Sequence, residues 1–209
     1  MDERLIETDA DVAEGAAWLA AREPRFAEAL LLTGPLPLRR RNGGFDALLS
    51  AIVSQQISVA AARGVWAKLE AAGAISAPKI LALDTEDLRA LGLSKQKAGY
   101  AKALAESRID FEGLRRQRAE TVVRELTAVK GIGVWTAEIY AMFSLGRADV
   151  FAAGDLALQE GAKVLFGLDE RPKDKELRIM AEAWAPWRAV AARLLWAYYH
   201  VIKDREGIS

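Results

Sequence analysis

Between Leu126 and Gly146 the chain reads LTAVKGIGVWTAEIYAMFSLG, with two glycines one residue apart in its middle. Val122, Leu126 and Val129 recur at i, i+4 and i+7, one face of a helix. Gly131-Ile132-Gly133 breaks that run, and a second apolar run, Val134 to Phe143, resumes at once. Glycine at 131 and 133 lets the backbone reverse sharply and lets another backbone approach. The stretch, about 118–145, therefore reads as helix, tight hairpin, helix. The N–H groups of Gly133, Val134 and Trp135 then fall at the start of the second helix. Unpaired donors and the helix dipole together favour an anion there, and a DNA phosphate is a candidate. The plainer reading is a turn between two packed helices.

The rest of the chain reads as helices too. No stretch alternates with period two over a convincing length, and turn signals fall between helices rather than at hairpin spacing. Expected helices run over Thr8–Arg22, from Pro24 to about Thr33, Phe45–Val53, Ser58–Ala72, Ala77–Leu83, Thr85–Leu91, Ser94–Ser107 and Arg118–Val129. Beyond the hairpin they run from Asp155 to about Phe166, over Leu177–Ala183, and from Pro186 to about Lys203. Pro35–Leu38 is extended, and Asp169–Lys175 is a charged loop. Ser54-Gln55-Gln56-Ile57-Ser58 is a polar interruption between two apolar helices. Asp155, after Gly154 and before Leu156-Ala157-Leu158, is an ordinary helix N-cap by position. The fold class is all-α.

With the stretches GIGVWTA and GDLALQ in order, and AIVSQQISVAAA and WAPWRAVAARLLW around them, the chain resembles the helix-hairpin-helix DNA glycosylases. It is most similar to their 3-methyladenine DNA glycosylase II branch. The likeness covers most of the chain and is weakest before about Leu36. It implies two helical subdomains with a cleft between them: 1–45 with 147–209, and 46–146 carrying the hairpin. It implies double-stranded DNA as partner and excision of alkylated purines, 3-methyladenine and 7-methylguanine, in base excision repair. The alternatives are a glycosylase for hypoxanthine, etheno-adenine or oxidised guanine, and a non-catalytic hairpin module that binds distorted duplex.

The resemblance also assigns residues. Asp155 matches the family's catalytic aspartate, which would stabilise an oxocarbenium-like sugar or direct water to it. Asp149 is expected to be structural. A flipped alkylated base is electron-poor and stacks well on indole. Trp135 and Trp196 match aromatic cleft positions, and Trp187-Arg188 is placed at the cleft edge; Trp18, Trp66, Trp184 and Tyr140 keep the ordinary reading of aromatic residues in a helical protein, the core. Gly131, Gly133 and Val134 form the phosphate-binding hairpin. Gln56 matches the position from which the family fills the hole left in the duplex, and the bland reading is that Gln55 and Gln56 terminate a helix. Relatives with lyase activity that carry a lysine nucleophile in the hairpin have it two residues beyond the second glycine. Here that residue is Trp135, so a monofunctional enzyme is expected.

Composition narrows this further. The 29 basic and 29 acidic residues cancel, which counts against a simple nucleic-acid binder. The bases are unevenly spread: residues 92–130 hold nine against five acids, and Arg39-Arg40-Arg41 is a second cluster. No cysteine is present, so disulfides and cysteine-ligated iron–sulfur clusters are excluded. His200 is the one histidine, expected to be structural, and no metal-ligating pattern accompanies it. No cofactor is implied, beyond a monovalent cation that the hairpin carbonyls could hold. The N-terminus lacks a secretory h-region and no apolar run has the length of a membrane span. A cytoplasmic monomer without membrane contact is expected.

Overall fold

The computed structural model describes residues 3–206. Among them the helices are α1 (Asp9–Ala20), α2 (Pro24–Thr33), α3 (Phe45–Ser54), α4 (Val59–Ala71), α5 (Ala77–Ala82), α6 (Thr85–Ala90), α7 (Lys95–Glu106) and α8 (Phe111–Arg116). They continue as α9 (Ala119–Thr127), α10 (Val134–Phe143), α11 (Leu156–Phe166), α12 (Asp174–Met180), a 3-10 turn (Ala181–Trp184) and α13 (Arg188–Glu206). The sole strand-like pairing among the described residues is an isolated antiparallel bridge between Leu5 and Arg147. The fold is all-α.

Local chemistry sets most helix starts. The Thr8 hydroxyl accepts the Asp11 N–H, and the Asp11 carboxylate accepts the Thr8 N–H in return at 2.8 Å. Asp84 and Asp87 form the same reciprocal pair at α6. Ser58 and Ser94 cap α4 and α7. Two elements differ from the sequence reading. Helix α8, FEGLRR, is too short to display a period, and it is the Asp110 side chain, accepting the Gly113 N–H at 2.9 Å, that starts it. Helix α12 begins at Asp174, inside the expected charged loop, because Glu176 reaches back to accept the Lys173 N–H at 2.7 Å.

The chain divides into two compact units, one of residues up to 41 and from 141 onward, the other of residues 42–140. The second limit falls inside α10. In the first unit α13 packs on α1, α2 and α11. Ala189 to Ala192, Leu194 and Leu195 are fully buried along it. Trp184 fills a cluster with Phe26 at 5.3 Å, Phe151 at 5.4 Å and Phe166 at 5.8 Å between ring centroids. Aromatic pairs at such spacing add to their area burial. In the second unit α7 packs against α3, α5 and α6, and α3 also against α4, around Leu48, Leu49, Ile52, Ala98 and Ala101.

Of the tryptophans assigned to the core, Trp184 lies there, but two do not. Trp18 is half-buried beneath the Arg22 guanidinium, 3.8 Å above its ring. Trp66 is half-buried and lines an open groove of about 290 Å³ with Ser54, Ile57 and Arg63.

Helices α11 and α13 approach closely at Gly161. A Cβ there would lie 2.8 Å from the Leu195 carbonyl oxygen, a backbone atom that cannot swing aside. Gly161→Ala should cost about 1–3 kcal/mol as an overpacked contact. It should be read as a lower urea midpoint at unchanged slope. Gly64→Ala, on α4 with nothing within 4 Å, should instead match or exceed the parent.

Candidate functional site

In the second unit the hairpin is built on backbone conformation. Val129 and Ile132 are buried, and the Ile132 N–H donates to the Val129 carbonyl at 3.0 Å. Gly131 has φ +97°, and a Cβ on it would sit 2.3 Å from the Tyr100 ring. Both facts demand glycine. Gly133 differs from the sequence reading: its φ is not positive and nothing lies within 4 Å of its Cβ position. Its carbonyl accepts the Ala137 N–H at 3.0 Å and so opens α10. The first-turn amides of such a helix have no acceptor within it. Val134 and Trp135 are about half exposed on this first turn.

The polar break between α3 and α4 is tied to the same hairpin. The Gln55 Nε2 donates to the Gly131 carbonyl at 2.9 Å, across 76 residues of sequence. Gln55 is therefore more than a helix end. Lys97 Nζ, on α7, donates to the Val53 carbonyl at 2.6 Å at the end of α3, and burial lowers its pKa. Gln56 is exposed and left-handed, at φ +56°. A non-glycine residue in that region is uncommon and strained, and persists where its surroundings over-determine it. Tyr140 is buried as expected, its hydroxyl accepts the Gly44 N–H at 2.8 Å, and burial raises its pKa.

In the first unit Asp155 is the N-cap of α11. Its Oδ1 accepts the Ala157 N–H at 2.9 Å and the Leu158 N–H at 3.1 Å. The Trp196 indole Nε1–H, from α13, donates to the same oxygen at 3.1 Å. Below the cap, buried Gln159 donates to the Ala153 carbonyl at 2.9 Å and braces the turn. The Trp196 ring is 8% exposed and lies 5.7 Å from Phe143. A ring so covered offers little face to a base; its edge holds the carboxylate instead. No periodicity signals this bond, because donor and acceptor are 41 residues apart.

Trp187 corrects the sequence reading. It is 1% exposed, with the Arg4 guanidinium 4.5 Å over its ring, and so it belongs to the core of the first unit. Its neighbour Arg188 is half-buried and grips Asp149 through two bonds, at 2.6 and 2.8 Å. That bond to Asp149 holds the Arg188 charge and raises its pKa. His200, expected to be structural, is exposed beside Tyr199. Among the described residues no grouping of His, Cys, Asp and Glu could hold a metal. The hairpin offers neutral carbonyl oxygens only, of which Val129 and Gly131 already accept N–H donors.

A glycine hairpin between two helices, and an aspartate held at a helix start, mark a helix-hairpin-helix protein. The chain belongs to the HhH-GPD superfamily of base excision DNA repair proteins, whose pattern it matches over residues 49–188. It is 34% identical to DNA-3-methyladenine glycosylase 1 of Schizosaccharomyces pombe, over 73% of this chain and 71% of that one. Among solved structures it is similar to a DNA-3-methyladenine glycosidase from Bacillus halodurans, at 34% identity and a TM-score of 0.83. That match covers 98% of this chain and 95% of the other. It is also similar to the Schizosaccharomyces pombe 3-methyladenine DNA glycosylase in complex with abasic DNA. There identity is 29% and the TM-score 0.74, over 88% and 95% of the two chains.

The two hairpin glycines should respond differently to alanine. Gly131→Ala meets both the left-handed backbone and the Tyr100 ring, and should cost more than about 1 kcal/mol. Gly133→Ala should leave the urea midpoint within about 0.5 kcal/mol of the parent. Equal losses for the two would show that the hairpin conformation is set elsewhere.

Proposed function

We propose that this protein is a monofunctional DNA glycosylase that hydrolyses the N-glycosidic bond of alkylated purines, chiefly 3-methyladenine and also 7-methylguanine. The observation that carries the proposal is Asp155, whose Oδ1 is fixed by two backbone amides and one indole N–H. Three donors on one oxygen fix the plane of the carboxylate. Preorganised charge of this kind stabilises a sugar that becomes cationic as the bond breaks. The electron pair of the bond leaves with the base, which is already cationic in these lesions and departs neutral without an added proton. Water adds to the sugar carbon and gives its proton to Asp155 or to solvent. A site with one placed carboxylate is sufficient for such a leaving group.

Duplex is held at the hairpin, where the amides of Gly133 and Val134 stand at the open start of α10, suited to a phosphate. Gln56, in a strained loop braced by Gln55, is the side chain proposed to enter the duplex when the base leaves the stack. The exposed indole of Trp135 is the proposed stacking partner for the extruded base. Trp196 is a positioning residue that acts through Asp155. The neutral carbonyls of the hairpin suit a monovalent cation that would draw a phosphate closer, and no step of the reaction needs it. A cysteine-free chain suits a reducing compartment, and we read the protein as a cytoplasmic monomer.

The test is release of free bases from methylated genomic DNA, resolved by chromatography. The parent should release 3-methyladenine and 7-methylguanine and leave an intact strand with abasic sites. Asp155→Asn should slow single-turnover excision by about a hundredfold or more while duplex binding stays. Trp196→Phe keeps an aromatic but smaller side chain and removes the indole N–H donor, and should slow excision by about ten- to a hundredfold. Its affinity for an abasic-site duplex should be unchanged. Near-normal excision by Asp155→Asn would remove the carboxylate from the mechanism.

Borohydride should trap no covalent protein–DNA complex, because Trp135 stands where lyase relatives carry the hairpin lysine. A trapped band would show an amine nucleophile elsewhere, and water would then not be the sole acceptor of the sugar.

A further inference from the structure

Three arginines, Arg40, Arg41 and Arg193, gather around Phe143 in the first unit, Arg39 precedes them in the chain, and none of the four has an acidic partner among the described residues. Two of them have structural work. Arg193, 1% exposed on α13, donates to the Leu38 carbonyl at 2.9 and 3.3 Å and to the Ala189 carbonyl at 2.8 Å. Its guanidinium lies 4.8 Å over the Phe143 ring. Arg40 Nη1 donates to the Phe143 carbonyl at the end of α10, where a cation also meets the negative end of the helix dipole.

Arg39 and Arg41 are different. Both are exposed, and neither guanidinium has a hydrogen bond or ion pair among the described residues. Arg39 is held left-handed at φ +53°, a conformation unusual for a long side chain. The Arg41 N–H is anchored on the Phe143 carbonyl at 3.0 Å, and its guanidinium lies 5.6 Å over the Phe143 ring. Buried Arg193 fixes the Leu38 end of this segment, and Phe143 fixes the other. Two exposed cations are thus presented from a pinned backbone, not from a loose loop. Burial, with repulsion from Arg39 and Arg40, lowers the Arg193 pKa to about 10. An anion bound on this face would relieve that repulsion.

We infer that Arg39 and Arg41 form a second phosphate-binding site for duplex DNA on the first unit, separate from the hairpin. The inference rests on the reading of the protein as a DNA enzyme, and it deepens that reading. The chain carries no net charge, so attraction to a polyanion has to come from local clusters. This cluster is also joined to the candidate catalytic group. Phe143, under Arg41 and Arg193, touches Trp196, and Trp196 holds Asp155. A strand gripped at Arg39 and Arg41 would be registered against the same rigid framework that positions the carboxylate.

The experiment is binding of the parent and of an R39Q/R41Q variant to an undamaged duplex across a salt series. Each phosphate contact contributes about 0.9 to the slope of log affinity against log salt. The variant should lose roughly one to two from that slope. R39K/R41K, which keeps both charges, should retain the parent slope. R89Q, which removes an exposed arginine already paired with Glu86, should change nothing. Equal slopes for parent and R39Q/R41Q would overturn the inference, as would a slope lost equally in R89Q. A parent that binds duplex and excises nothing would remove the glycosylase reading and leave this one standing.

Discussion

The hydrogen bond from the Trp196 indole to Asp155 depends on how closely α13 can lie against α11. Gly161 makes that approach possible, because any side chain there would strike the Leu195 carbonyl one residue before Trp196. The geometry around Asp155 in the first unit is thus a packing result. The cap fixes the carboxylate along α11, and the neighbouring helix fixes its plane. A run of fully buried alanines and leucines on α13 keeps the second helix from shifting, since close-packed interiors yield little.

The second unit uses a different device. Its hairpin and polar break carry exposed residues on backbone conformations that would relax in an isolated peptide. Gly131 is locked by the Tyr100 ring, and Tyr100 accepts a hydrogen bond from Gln96 at 2.7 Å. Gln55 then transmits that fixed position to the break, and Lys97 holds the end of α3. The strain at Gln56 is sustained by these neighbours. The entry into duplex proposed for Gln56 is served by such a support beneath it, because ordering a free loop at the moment of binding would cost conformational entropy.

Charge follows the same logic of fixed supports. A neutral protein that acts on a polyanion cannot rely on its overall field. In the first unit arginine is used in two ways within one cluster. Arg193 is dry and satisfied by carbonyls, and it serves as a clamp on the segment before Arg39. Arg39 and Arg41 stand in water. Arg188 and Asp149 form a closed pair whose charges cancel locally, which is why that arginine contributes no comparable free cation.

Much of this was legible in the sequence. Helix starts follow from Thr8, Ser58, Asp84 and Ser94, whose side chains act on amides two or three residues away. The hairpin follows from Gly131-Ile132-Gly133 and the apolar runs around it, and the N-cap position of Asp155 from the residues that flank it. These are local interactions, and a short window contains all their parts. The short α8 and the start of α12 escaped because they lack a period, though each has a local cap. What tertiary structure alone decided involves partners far apart. It buried Trp187 and left Trp66 along a groove, because burial depends on which helix lies opposite. It made Trp196 a clamp for Asp155, joined Gln55 to Gly131, and set Arg193 against the Leu38 carbonyl and the Phe143 ring. Each of these contacts joins residues dozens of positions apart, and only the packed chain brings them within a hydrogen bond or a ring's width.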